Sequence, residues 1–132
     1  MLDQVPRSLP ALMEAGKLGN KAASIGFDWK DAAPVFDKLQ EELAELQQAI
    51  VSGETEAKEE ELGDVLFTVV NLARKLGVQS EFALRSTNAK FRRRFAAMET
   101  SATSSLGELS PEELDQLWNR VKTEERKGSI RE

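Results

Sequence analysis

Apolar residues recur along this chain at intervals of three and four, and this helical periodicity constrains the fold more than any other feature of the sequence. The clearest run comprises Phe36, Leu39, Leu43, Leu46 and Ile50. A second run, between residues 62 and 76, covers more than half of a helical circumference and predicts a central, heavily buried helix. No segment alternates apolar and polar residues between turn signals, as a strand would. We therefore predict an all-α fold, a helical bundle of about five helices.

Helix-breaking and helix-capping residues predict where the helices begin and end. Gly53 separates the second helix from the third, Gly77 ends the third, and Ser80 caps the fourth. A capping box at residues 110–113, with proline at the first helical position, starts the last helix. The predicted helices cover about residues 9–23, 31–51, 54–76, 80–100 and 111–126. We expect one domain over residues 1–132, ordered from about residue 9 to about residue 126.

The composition excludes several kinds of chemistry. Among 132 residues there is no cysteine and no histidine, which excludes disulfides, thiolate zinc sites, imidazole ligands and Ser-His triads. The net charge of −5 argues against a general nucleic-acid-binding surface. Charge is also unevenly placed, since residues 37–64 contain ten acidic and two basic side chains, whereas residues 65–98 contain one acidic and seven basic. No membrane helix or signal peptide is visible, and we expect a cytoplasmic protein with no membrane partner.

The acidic residues are spaced so that a helical hairpin would bring them together. Glu45 and Glu61 each lie eight residues from Gly53. Glu42 and Asp64 each lie eleven residues from it. In an antiparallel hairpin the two members of each pair therefore lie at the same level along the helix axes, and the two levels differ by about 4.5 Å. Four such carboxylates repel one another and need protons or a cation, and oxygen ligands suit Mg²⁺ or Mn²⁺. An exposed acidic face on each helix is the common alternative, but the matched heights favour a metal site.

Basic residues form a second candidate site on the last two helices. Lys90 and Arg94 lie four residues apart on one flank of an apolar stripe, where they can hold phosphate oxygens. A solvated basic face is the alternative. Trp118 and Lys122 are also four residues apart. Trp118 can stack on a base or fill the core, and taken alone it is better predicted as a core residue.

Two acidic motifs carry a family resemblance. EELAE at Glu41–Glu45 and, fifteen residues later, ELGD at Glu61–Asp64 resemble the EExxE and ExxD motifs of the all-α nucleoside triphosphate pyrophosphohydrolases. Further segments are similar to the MazG branch of these enzymes, and specifically to its C-terminal catalytic domain. They are LPALM at 9–13, GFDW at 26–29, DVLFTVVNLAR at 64–74, NAKFRRRF at 88–95 and W-x-x-V-K at 118–122. The resemblance therefore covers nearly the whole chain.

This resemblance implies an enzyme in which water attacks the α-phosphorus of an NTP or dNTP and releases pyrophosphate. It implies Mg²⁺, with Mn²⁺ as a substitute, held by Glu42, Glu45, Glu61 and Asp64. The implied catalytic residues are Glu41, Glu42 and Lys38, with Glu41 supporting the site or the attacking water. The implied substrate contacts are Lys38, Lys90, Arg94 and Lys122 for the triphosphate, and Trp118 and Asn71 for the nucleoside. A homodimer, or a tetramer, whose four-helix core is completed by dimerisation is implied as well.

Two features depart from the family pattern. MazG domains usually carry a glutamine-like residue where this chain has Gly19, and Gly16 is also unusual in that helix. MazG proteins often contain two related domains, so this chain is expected to be either a natural short form or an excised C-terminal domain. Narrower enzymes acting on dUTP, dCTP or phosphoribosyl-ATP, and a non-catalytic helical interaction module, stay open as alternatives. A di-iron bundle is excluded, because its Glu-x-x-His ligands need histidine.

Overall fold

Five α-helices follow one another in the computed structural model, which describes residues 1–131 and the side chains of residues 1–128. They are α1 (Ala11–Ala23), α2 (Ala32–Ser52), α3 (Thr55–Lys75), α4 (Ser80–Ser101) and α5 (Pro111–Arg131). Short 3₁₀ turns occur at Leu2–Gln4 and Leu106–Glu108. This part of the chain contains no strand, so the predicted all-α fold is confirmed. Within it, no helix is both long enough and apolar enough to cross a membrane.

The chain divides into two compact units, Met1–Ala83 and Leu84–Glu132. The first unit contains α1, α2 and α3, and the second contains most of α4 and all of α5. The organisation as one domain stays a prediction.

A tight connection makes α2 and α3 an antiparallel hairpin. The Asp31 carboxylate accepts a hydrogen bond of 3.1 Å from the Ala33 backbone N–H and caps the start of α2. Gly53 ends α2 with a positive φ of 78°, a left-handed conformation that glycine adopts without steric cost. Only Gly53 and Glu54 separate the two helices, so α3 must return alongside α2. The hairpin predicted about Gly53 is therefore present.

The buried face of the hairpin differs from the predicted one. On α2 the buried residues are Val35, Glu42 and Ala49, whereas Phe36, Leu43 and Ile50 are 43 to 58% exposed. On α3 the buried residues are Val65, Thr68, Val70 and Asn71, whereas the apolar Leu62, Leu66 and Val69 are exposed. The expectation of a heavily buried third helix is therefore wrong for a single chain. Within the first unit α1 and α2 pack on α3, and they leave Leu62, Leu66 and Val69 exposed.

A hydrogen-bonded network around Arg74 ties α1 and the following turn to α3. The Arg74 guanidinium donates from Nε to Asn20 Oδ1 at 2.8 Å and from Nη1 to Asn71 Oδ1 at 2.8 Å. Both of its terminal nitrogens also donate to the Asp28 carboxylate at 3.2 Å, and Lys75 donates to the same carboxylate. The close approach depends on Gly19, where a Cβ atom would lie 2.7 Å from Asn71 Oδ1.

We expect this network to make stability depend on pH through Asp28. The hydrogen bond from Arg74, followed by that from Lys75, lowers the pKa of Asp28 to about 2. A lowered pKa stabilises the fold fully above the unfolded value of about 4, and the contribution disappears as the pH falls towards 2. Because Asp28 lies at the surface, solvent screening reduces its contribution to the free energy of unfolding to about 1 kcal/mol. Urea unfolding at several pH values should show Asp28→Asn weakened at pH 7 and equal to the wild type near pH 2; an equal loss at every pH would contradict this.

The second unit contains a small core between its two helices. Met98 of α4 packs with Leu117 and Val121 of α5. The predicted capping box is confirmed, since the Glu113 N–H donates to Ser110 Oγ at 3.1 Å and the Ser110 N–H donates to Glu113 Oε1 at 3.0 Å.

Two predicted helix ends differ from the structure. Ser80 is the first residue of α4 and not its cap, because the longer Gln79 side chain accepts the Glu81 N–H at 2.7 Å. The last helix continues to Arg131 instead of ending near Arg126. Gly128 lowers helix propensity by about 1 kcal/mol, but no proline follows to stop the helix.

Candidate active site

Three carboxylates converge between α2 and α3. Glu42 and Glu45 lie one turn apart on α2, and Glu61 faces them from α3. One oxygen of each lies within 4.8 Å of the others. We call these three residues the carboxylate cluster. The spacing about Gly53 predicted this convergence from the sequence.

Asp64, the fourth predicted metal ligand, lies outside the carboxylate cluster. Asp64 is exposed, and neither of its carboxylate oxygens belongs to the set of oxygens that lie within 4.8 Å of one another. It follows Glu61 by three residues, which rotates it by about 60° around the helix axis, and its side chain is one methylene shorter. Its role as a ligand stays a prediction.

The carboxylate cluster carries negative charge that no side chain fully compensates. Glu42 is only 6% exposed, and its Oε2 and that of Glu61 are buried without a hydrogen-bond partner among the described residues. The charge of Glu42 is the largest cause that raises the pKa of Glu45, followed by desolvation and by the charge of Glu61. Buried acceptors of this kind are rare, and a hard cation would satisfy them. The residues therefore fit a divalent metal ion.

Lys38 compensates one side of the cluster. Its Nζ atom lies 3.1 Å from Glu42 Oε1 and 3.6 Å from Glu41 Oε1. The hydrogen bond with Glu42 is the largest cause that raises the pKa of Lys38. This ion pair engages one oxygen of Glu42 and leaves the other, Oε2, buried without a partner among the described residues. Glu41 is exposed and stands beside the cluster, and the catalytic roles of Lys38, Glu41 and Glu42 stay predictions.

Thr68 and Asn71 are polar residues of α3 beyond the cluster, and both are hydrogen-bonded inside the protein. Thr68 Oγ1 donates to the backbone oxygen of Asp64 at 2.8 Å. Asn71 is 1% exposed, donates from Nδ2 to the Phe67 oxygen at 3.1 Å and accepts from Arg74. A nucleoside could reach Asn71 only after this packing opened, so its predicted substrate contact remains untested.

A second polar group lies in the second unit. The Arg94 guanidinium carbon lies 5.8 Å from the centre of the Trp118 ring, and Phe91 lies 5.5 Å from that ring. Glu125 accepts from Arg94 Nε at 3.3 Å and from Arg93 Nη2 at 2.9 Å. Lys90 and Lys122 are partly buried on the same two helices. Sequence reasoning missed Glu125, whose only signal is its place three residues after Lys122, on the same helical face.

The fold and these carboxylates define a class, an all-α protein with an acidic cluster on a helical hairpin. The family model described as the MazG nucleotide pyrophosphohydrolase domain matches residues 32–97, half of the chain, which include the whole hairpin. The chain therefore belongs to this family, as its motifs predicted.

Curated relatives agree with this assignment. The chain is 45% identical over 132 residues to the nucleoside triphosphate pyrophosphohydrolase of Escherichia coli (strain K12), covering 94% of this chain and 49% of the relative. It is 44% identical over 117 residues to the nucleoside triphosphate pyrophosphohydrolase/pyrophosphatase MazG of Thermotoga maritima, covering 86% and 45%. It is 43% identical over 136 residues to the uncharacterized protein YabN of Bacillus subtilis, covering 97% and 27%. The chain thus spans about half the length of the first two and about a quarter of the third.

Proposed function

We propose that this chain is a nucleoside triphosphate pyrophosphohydrolase that needs a divalent metal ion. It converts an NTP or dNTP to the monophosphate and pyrophosphate. The observation that carries this proposal is the carboxylate cluster on the hairpin of a MazG domain, with two buried oxygens that lack partners among the described residues. The metal we propose is Mg²⁺, with Mn²⁺ as a substitute, because all the ligands are hard oxygen atoms.

The residues of the hairpin have different roles in the proposed reaction. Glu42, Glu45 and Glu61 hold the metal ion, and Asp64 is proposed as a fourth ligand. When bound, the ion neutralises phosphate oxygens and polarises water. Lys38 keeps Glu42 oriented through its ion pair. Water adds to the α-phosphorus, the bond from this phosphorus to the bridging oxygen breaks, pyrophosphate leaves with the electron pair, and a proton of the water passes to Glu41.

Within the second unit we propose a separate set of substrate contacts. Lys90, Arg94 and Lys122 bind the triphosphate, and arginine can bind two oxygens at once. Trp118 is the proposed contact for the base, because its flat aromatic ring can stack on a base. The cytoplasmic location expected from the sequence stays a prediction.

Phosphorus NMR of the purified chain tests the reaction. With Mg²⁺ and a panel of NTPs and dNTPs, we expect monophosphate and pyrophosphate, and with excess chelator we expect neither. Orthophosphate with diphosphate would show cleavage of the wrong bond. Turnover of dUTP, dCTP or phosphoribosyl-ATP alone would favour a narrower enzyme. A folded chain that gives no product would favour the interaction module.

We also propose a homodimer that covers the apolar face of the hairpin. This face contains residues such as Leu43 and Leu66, and exposed apolar surfaces of this kind mark association sites. Sedimentation equilibrium should give twice the chain mass of 14.7 kDa, or four times this mass if dimers pair. Leu43→Glu should shift the mass towards that of one chain, whereas Gln48→Glu, exposed on another side of α2, should not. A wild-type chain that stays monomeric at high concentration would contradict the proposal.

A further inference from the structure

Glu125 joins two arginines of α4 to α5. It accepts from Arg93 Nη2 at 2.9 Å and from Arg94 Nε at 3.3 Å. The hydrogen bond from Arg93 is the largest cause that lowers the pKa of Glu125, so the side chain is a carboxylate at neutral pH. One carboxylate shared by two guanidinium groups leaves a net positive charge, to which the neighbouring Lys90 and Lys122 add.

Arg94 is held in one orientation by this contact. Its side chain is 12% exposed, and its guanidinium lies 5.8 Å from the Trp118 ring centre. Only Nε is bonded, since Nη1 and Nη2 make no hydrogen bond to any described residue. The side chain is thus fixed along its Nε edge and against the ring, while its two terminal nitrogens stay available. These two terminal nitrogens can together bind two oxygens of a phosphate group.

Holding an arginine in place matters for affinity. A free arginine side chain loses rotamer entropy when a ligand orders it, and this loss weakens binding. An arginine that is already ordered avoids most of that cost. Arg93 also donates to the Glu125 carboxylate, but it is exposed and makes no ring contact among the described residues. Arg94 is therefore the arginine that this arrangement orders.

We propose that Glu125 is a positioning residue, which holds Arg94 by Nε against Trp118 so that the terminal nitrogens face a phosphate group of the substrate. This inference rests on the proposed function. Glu125 touches no reacting atom in this proposal and acts only through Arg94. Its loss therefore raises KM and the Kd for pyrophosphate, and leaves kcat close to the wild-type value.

The test uses the full chain with Trp29→Phe, so that Trp118 is the one tryptophan and reports on Arg94 by its fluorescence. Glu125→Ala should raise KM and the Kd for Mg²⁺-pyrophosphate by about three- to tenfold. It should also change the Trp118 emission. Glu125→Gln keeps an oxygen that can accept from Nε, and should restore most of both properties. Glu124→Ala, on the exposed side of the same turn, should match the wild type.

Several results would overturn the inference. If both Glu125 variants bound pyrophosphate more tightly, Glu125 would be a competitor of phosphate and not a positioning residue. Unchanged KM and Trp118 emission in Glu125→Ala would also overturn it, as would a Glu125→Gln variant that folds and is as weak as Glu125→Ala. A parent chain without turnover or pyrophosphate binding would instead overturn the proposed function, and the Trp118 emission would still report whether Glu125 orders Arg94.

Discussion

Glu61→Gln is expected to lower turnover at least about a hundredfold while leaving the helices intact, because one lost charge contact in a catalytic centre commonly costs this much. The Glu61 carboxylate lies in the cluster, and its buried Oε2 has no partner among the described residues. Glutamine has nearly the same size, so packing is kept while the negative charge is lost. Because like charges repel in the metal-free cluster, the variant should be at least as stable as the wild type without metal.

Stabilisation by added metal ion distinguishes the loss of a metal ligand in Glu61→Gln from a general folding defect. Mg²⁺ or Mn²⁺ should raise the unfolding temperature of the wild type, since a ligand of the folded state stabilises it. That increase should be much smaller in Glu61→Gln. Glu59→Gln changes an exposed residue outside the cluster on the same helix and should behave like the wild type in both assays. Full turnover in Glu61→Gln would refute the assignment of the carboxylate cluster.

Two glycines of one helix are expected to respond in opposite directions to the same change. At Gly19 a Cβ would lie 2.7 Å from Asn71 Oδ1 and 2.9 Å from Arg74 Cδ. Asn71 is 1% exposed and has no free space to enter, so hydrogen bonds of the Arg74 network must break. Overpacking of this kind costs about 1–3 kcal/mol, which exceeds the helix-propensity gain of about 1 kcal/mol. Gly19→Ala should therefore be less stable by up to about 2 kcal/mol.

Gly16→Ala is the matched control for this prediction. Its new methyl group would find Val70 Cγ1 at 3.8 Å, an ordinary contact distance. The substitution should stabilise the chain by about 0.5–1 kcal/mol, because alanine is the better helix former. Urea unfolding of both variants beside the wild type measures the difference. Two variants that shift in the same direction by similar amounts would show that α1 does not approach α3 as closely at Gly19 as the structure describes.

The sequence could predict what depends on local spacing. The positions of Glu45 and Glu61 follow from counting residues on either side of Gly53, because a helix has a fixed rise and the connection is short. The capping box at Ser110 and Glu113 is also local, and its hydrogen bonds were predictable from four consecutive residues.

What the sequence could not predict depends on distant or missing neighbours. Periodicity places Phe36, Leu43 and Ile50 on one face but does not tell what covers that face, and within the described chain these residues are exposed. Arg74 donates hydrogen bonds to Asn20 and Asp28, which precede it by 54 and 46 positions, and no local pattern reveals such contacts. Asp64 was assigned by its height along the helix, whereas the rotation around the axis and the length of the side chain decide which oxygens meet.

The two-residue connection between α2 and α3 makes the candidate metal centre a product of the hairpin itself. Its three carboxylates, from Glu42 to Glu61, are brought together by one reversal of the chain at Gly53. Contacts between residues so near in sequence close small loops and form early in folding. A nascent chain would thus acquire its cation-binding oxygens before the apolar face of the same hairpin is covered. The metal ion proposed for this site would then stabilise the hairpin before the proposed dimer forms, so the ion would act as a folding aid before it serves any reaction.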